Sequence, residues 1–495
     1  MSVPVRDVPS THTHWTIGTV AIVAFFLAVV AIFVGVTVSV LGPADTSAGE
    51  SVLPTLTPKA QLKEAPESEI NVSYAPNVPP APDRRDQAIV DVHFVVVEGV
   101  TDIGPDGVRY ETWGYKIDGS EEVSTGTPGP MIRARVGDVL RFTITNPETN
   151  TNPHNVDFHA VTGQGGGAAD TTVVPGETVT IEARLLYPGM FLYHCAHGDV
   201  PLHISHGMYG GILVDPEDPL PDVDQEWYVV QSEYYTTSTE PGVVETDRAA
   251  ITDELPTFVV FNGAVGAIAG DNSLQMNVGE RGRIYFVNAG LNLISSFHPI
   301  GSHWDTVYQE GALLSPPVRG SQTTLVPAGG GVVVEIIGQV PSTVLLVDHA
   351  LARTFDKGAL GMIVISGDPN PELFEVVTPQ PDATSTTVAG ASGDFNVDIL
   401  PGSWEVQEMN SPDEFSDNET PRDFSINVLR VHVGDTVTWT QKDPGMLHTV
   451  TSSDGLFDSG FLEGGDTFSY TFDQTGEYEY FCTPHPWMRA KVIVE

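Results

Sequence analysis

Three weakly similar stretches, each built of the same strand signals in the same order, predict an all-β chain: three small β-sandwiches in series, preceded by one membrane-spanning helix. Two further observations agree. The body shows alternating apolar and polar positions with Gly/Pro/Asn/Asp breaks and nothing that resembles a long amphipathic helix. One uncharged, almost wholly apolar run stands near the amino terminus.

That run comes first in the chain. Between Val8 and Ala44 there is no Asp, Glu, Lys or Arg, and the segment 15–41 is long enough to cross a bilayer as a helix. A cleaved signal would have a shorter apolar region and a basic start. An uncleaved anchor is the preferred reading and cleavage near Ala48 the alternative. The tail 1–14 holds Arg6 and is followed, across the span, by an acidic segment. The charge bias favours a cytoplasmic amino terminus and an extracytoplasmic body, at the cell surface or in a periplasm. Within the tail, His12 and His14 read as solvated. Residues 42–86 are proline-rich and predict an extended tether.

The repeat follows. Its first element opens with Val-Gly-acid, at 136–146, 278–288 and 433–443. Its second begins at Pro175, Pro327 and Glu463, and its third covers 188–195, 341–349 and 475–482. The units are 87–217, 222–368 and 392–495, with 369–391 a linker. The third element ends in Cys195 in unit one and Cys482 in unit three. Unit two has His349 there, after Asp348, and so cannot build a thiolate site.

Two cysteines in an exported chain would ordinarily pair. Here each has its own histidine and methionine neighbours at ligand spacing. Two imidazoles, a thiolate and a thioether form the donor set of a blue-copper electron-transfer site. His154, Cys195, His203 and Met208 follow that order in unit one. In unit three His448 precedes a compact C-x-x-H-x-x-M loop with Cys482, His485 and Met488. His194 adjoins Cys195 and so faces the opposite way on a strand. With His159 and His349 it leaves three imidazoles over, a set that suits a catalytic copper or zinc with an open position. His197, His206 and His303 read as surface residues.

The motifs HNVDFH (154–159), YHCA…PLHISHGM (193–208), SSFHPIG (295–301) and VDHA (347–350) resemble the copper-containing nitrite reductases over roughly residues 87–368. Residues 392–495 resemble a fused cupredoxin, with a loop similar to that of amicyanin. The resemblance implies three cupredoxin-like Greek-key sandwiches and two type 1 coppers and one type 2 copper per subunit. His154, Cys195, His203 and Met208 would hold one type 1 copper; His448, Cys482, His485 and Met488 the other. His159 and His194 of one subunit and His349 of the next would hold the type 2 copper, in a homotrimer. Asp157 and His298 would handle protons, and Ile300 would shape the nitrite pocket. The loop after Cys195, Ala-His-Gly-Asp-Val-Pro, departs from the commonest version, which leaves the surface for the donor open.

The reaction implied is nitrite plus one electron and two protons to nitric oxide and water. Asp157, between two ligand histidines, is placed to deliver a proton, or to orient an imidazole, and His298 to supply another. The peptide bond joining His194 to Cys195 makes a covalent path between two metals. An outside carrier, a cytochrome c or a small blue-copper protein, would feed the carboxy-terminal unit. A multicopper oxidase would need several H-x-H pairs and an H-C-H on the cysteine strand, which the body lacks. A membrane-tethered blue-copper electron carrier leaves His159, His194 and His349 idle. The net charge of −43, from 65 Asp and Glu against 22 Lys and Arg, argues against nucleic acid as a partner.

Overall fold

The computed structural model describes residues 52–120, 125–374, 394–400, 424–443, 447–453, 455–462, 464–485 and 488–495. The expected tail 1–14, the expected membrane helix 15–41 and residues 375–391 of the expected linker lie outside them. Among the described residues no helix is long and apolar enough to cross a membrane. The chain divides into two compact parts, Met1–Leu53 and Pro54–Glu495, and all the sheets belong to the second.

Six sheets close over three apolar cores. In the first sandwich, Ala88–Asp102 pairs with Val108–Ile117 and with Val139–Thr145, which pairs with Thr178–Arg184. The facing sheet runs Met131–Arg135, Tyr209–Asp215, Gly189–His194, Asp157–Phe158. Val90, Phe142, Ile132, Tyr193 and Ile212 meet between them. Strand burial alternates as the sequence does: Val90, Val92, Phe94 and Val96 point inward and are buried, whereas Asp91 and His93 are exposed.

The second sandwich repeats the plan with Arg281–Gly290, Gly330–Ile337 and Ser342–Asp348, the third with Thr436–Gln441, Thr467–Thr471 and Gly476–Phe481. Each expected repeat element is thus a strand. The second unit lends a piece to the first: Gly242–Val244, within the second unit's expected range, adds a parallel strand to Val108–Ile117.

Residues 52–86 correct the tether reading. Lys63–Glu64 and Val72–Ser73 each join a sheet of the first sandwich, and Tyr74 is buried. Arg84 clamps the segment through Asp138 at 2.6 Å and Glu69 at 3.0 Å. Long-range ion pairs and hydrogen bonds, such as the amide of Ile117 to the Tyr74 hydroxyl at 2.9 Å, offset its low apolar content.

The first two sandwiches share a further core. Met190, Leu192 and Leu213 pack against Tyr228, Tyr285 and Val333. Buried charges flank it and are paired: Arg133 with Asp215 at 2.8 Å and Glu226 at 2.9 Å, Arg283 with Glu335 at 2.6 Å. Truncating one member would strand a buried charge. The third sandwich rests on the second along a seam where Leu447, Pro484 and His485 face Val265, Phe355 and Leu360.

Candidate metal centres

The strand Gly189–His194 lies between its neighbours in a register that sets His194 opposite Tyr209 on one side and Asp157 on the other. Opposed residues share a face, and successive residues alternate. His194 therefore shares a face with Asp157 and with His159, two residues on. Cys195 turns into the first core, fully buried.

In that core, His154 Nδ1 lies 3.2 Å from His203 Nδ1, and Cys195 Sγ lies 3.3 Å from His203 Nδ1. His203 comes from the short helix Val200–Ser205. Met208, fully buried, follows; its carbonyl accepts the Cys195 amide at 3.0 Å. Asn155, next to His154, holds the loop by accepting the Ala196 amide at 2.7 Å. His154 Nε2 donates to Glu98 at 3.0 Å, which leaves Nδ1 for the centre.

The third core repeats this arrangement. Cys482 Sγ stands 3.6 Å from His448 Nδ1 and 3.4 Å from His485 Nδ1, and the two imidazole nitrogens are 3.2 Å apart. The Cys482 amide bonds the Met488 carbonyl at 3.1 Å. His448 Nε2 donates to Asp443 at 3.1 Å. Cys195 and Cys482 lie in separate cores and form no disulfide.

Burial, together with neighbouring histidines, pushes His203 and His485 down to about 4, and burial also lowers His154 and His448. These imidazoles are neutral at ordinary pH. Burial raises the Cys195 thiol to about 11, a cost that a bound cation reverses by stabilising the thiolate. Neutral imidazoles and a thiol aimed at one point, with the outer nitrogen of the first histidine in each set on a carboxylate, form a soft donor set that fits copper.

A third group has different chemistry. Asp157, His159 and His194 place one donor atom each within 4.8 Å of one another. The two imidazoles converge through Nε2, 3.2 Å apart. His194 Nδ1 donates to the Cys195 carbonyl at 3.1 Å, which aims Nε2 outward. The protein around His159, and then His194, hold its imidazole below the usual value. No thiol takes part, so the set fits a metal with nitrogen donors and a position left open.

His349 stands apart from that group. It is exposed just before the helix Leu351–Phe355, its amide bonded to Ser296 O at 2.8 Å. Its ring lies 5.1 Å from that of His298, on the neighbouring strand. His298 Nδ1 donates to the Gln322 carbonyl at 2.6 Å, leaving Nε2 available. Ile300, two residues on, packs with Leu345 and Val347 on the same outer face. Among the described residues no three-donor group includes His349.

The reading of the remaining histidines needs correction. His303 is exposed as expected and His197 is half-buried, but His206 is 6% exposed and its ring stacks on Trp113. The Ser-His-Gly setting gave no sign of this, because Trp113 comes from a distant strand. Glu98 and Asp443, the carboxylates behind the ligand histidines, were missed for the same reason in the first case. Asp443, five residues before His448, was the one within reach of a local search.

Residues 103–218 match the multicopper oxidase family, and residues 415–495 match the copper-binding proteins of the plastocyanin/azurin family. The copper-containing nitrite reductase of Neisseria meningitidis is 46% identical over 313 residues, which cover 63% of this chain and 77% of that protein. The Neisseria gonorrhoeae copper-containing nitrite reductase is 45% identical over the same shares. Among solved structures, the copper nitrite reductase of Nitrosomonas europaea is similar at a TM-score of 0.50 and 34% identity, over 57% of this chain and 96% of its own.

Proposed function

The chain belongs to the copper-containing nitrite reductases, and from that premise we propose how its residues divide the work. It is an oxidoreductase with a blue-copper unit fused at its carboxy terminus. His154, Cys195, His203 and Met208 hold the type 1 copper, and His448, Cys482, His485 and Met488 hold that of the third unit. His159, His194 and the partner subunit's His349 complete the type 2 site. One observation carries this last assignment: two imidazoles converge through Nε2 at 3.2 Å, while His349 stands beside His298 in another sandwich. A site split in this way needs a second copy, as the homotrimer implied by the resemblance would supply.

Bound in these sites, copper supplies a one-electron couple and, at the open position, a Lewis acid for a nitrite oxygen. The chain's residues do the rest. The His194–Cys195 peptide and the bond from His194 Nδ1 to the Cys195 carbonyl join the two sites. Asp157 carries a proton to the departing oxygen, and His298, as the imidazolium, gives the second from Nε2 while its Nδ1–H stays on the Gln322 carbonyl. Ile300 limits the pocket to a small anion. The third unit receives electrons from an outside carrier, and the segment 15–41 anchors the protein with its body outside the cytoplasm.

The test is His349→Ala in copper-loaded protein. Nitrite-dependent nitric oxide formation should vanish, both blue absorption bands should persist, and the copper count should fall from three per chain, the number of donor groups, to two. Unchanged turnover would sink the type 2 assignment.

A further inference from the structure

In both blue-copper centres the second imidazole is largely covered. His203 is 6% and His485 8% exposed. An electron passing between the third unit and the first sandwich therefore has to cross protein, and its rate depends on how continuously that protein is packed.

A file of packed residues lies between these two histidines. His485 and Pro484 face Val265 across the seam, where the residual space is only about 20 Å³, room for little more than one water. Val265 donates its amide to the Ile103 carbonyl at 3.0 Å and packs on the cluster holding Ile103, Val108 and Tyr110. The Tyr110 ring stacks on His206 with centroids 4.9 Å apart and planes at 22°. His206 stacks on Trp113 at 4.1 Å and 11°. Trp113 meets His203 edge-on at 4.9 Å and His154 at 5.5 Å.

The central ring is fixed at both nitrogens. His206 Nδ1 donates to the Glu111 carbonyl at 2.6 Å, and Nε2 lies 3.0 Å from the Thr246 hydroxyl. The Trp113 amide donates to the His206 carbonyl at 2.7 Å, which ties the two stacked residues through the backbone as well. Offset stacks of this kind need specific placement beyond simple burial.

We propose that Val265, Tyr110, His206 and Trp113 form the electron route from the third unit to the type 1 site of the first sandwich within one chain. This rests on the reading that the third unit delivers electrons to the body. One electron leaves the site held by His448, Cys482, His485 and Met488, which is oxidised. It arrives at the site held by His154, Cys195, His203 and Met208, which is reduced. No proton moves and no bond breaks.

The experiment uses the full-length, copper-loaded protein, reduced by a short radiolytic pulse. Re-equilibration between the two blue coppers is followed by their separate absorption and electron-paramagnetic-resonance signals. His206→Leu, which removes the ring, should slow this step tenfold or more; His206→Phe, which restores a ring, should recover most of the rate. Val265→Gly, which opens the seam without touching the stack, should slow it several-fold and serves if the His206 variants do not fold. Both potentials are measured in each variant, so that a changed driving force is separated from a changed route. Equal rates in the Leu and Phe variants would overturn the role of the ring. An unchanged rate in Val265→Gly would overturn the seam. If the unsubstituted chain shows no transfer between its blue coppers, the donor reading falls with the route; if it does and the variants match it, only the route falls.

Discussion

Glu98 and Asp443 do the same thing in two different sandwiches. Each accepts the Nε2–H of the first ligand histidine, at 3.0 and 3.1 Å. Burial opposes charge on Glu98, but His154 and the amides of Asn152 and Thr151 outweigh it and hold the carboxyl below its usual range. An anion there makes the imidazole a stronger donor and favours the oxidised metal. Glu98→Gln should therefore raise the potential of the first blue copper, and Asp443→Asn that of the third unit. The difference between a charged and a neutral acceptor is about 1 kcal/mol, or roughly 40 mV for one electron. Spectroelectrochemical titration of each blue band checks this, and a fall in potential would contradict it. The ligands themselves were readable from the sequence, since His, Cys, His and Met recur in order over short spacings. Glu98 was not, because strand pairing alone brings it to His154.

Among the elements, the strand Gly189–His194 and the loop after it carry the most information. Alternation along a strand predicted that His194 and Cys195 face opposite ways, and the register sets His194 opposite Asp157 while Cys195 turns into the core. The loop's close approaches were less legible. Gly207, immediately before Met208, has φ +106°, and a Cβ there would stand 2.4 Å from the Thr127 hydroxyl. Gly207→Ala should cost roughly 1–3 kcal/mol from the backbone alone and shift Met208. Denaturant titration should show the lower midpoint, and the first blue band should change in intensity while that of the third unit stays. Residues 52–86 of the proline-rich segment misled for a related reason: composition describes how a segment behaves alone, and Arg84 on Asp138 describes how it is held.

For the whole molecule, the three-fold internal repeat gave the three cores and their order. It could not give the seam beneath His485 or the strand Gly242–Val244 lent to the first sandwich, since both depend on surfaces that meet only after folding. Removing the metal has a consequence for the body as a whole. Burial holds His203 and His485 down to about 4 in the fold, against 6.5 for the ordinary imidazole, and lowers His154 and His448 as well. The unfolded chain thus takes up protons first as pH falls. Metal-free protein should lose stability progressively as pH falls from about 6.5, with the share owed to His203 and His485 complete by about 4. Urea midpoints of the metal-free protein across that range are the check, and a midpoint that rises on acidification would contradict it.

The separation of His349 from His159 and His194 has a genetic consequence. With the type 2 site divided between subunits as proposed, a chain lacking His159 and a chain lacking His349 should each be inactive alone, yet each keeps the half that the other has lost. Co-expressed in equal amounts and assembled at random, they should restore about a quarter of the normal number of catalytic centres, since a centre is intact only where the first chain lends its second sandwich to the second chain's first. Mixing the two purified proteins without letting subunits exchange should restore none. Two recessive lesions in one reading frame would then rescue one another, as if they lay in separate genes.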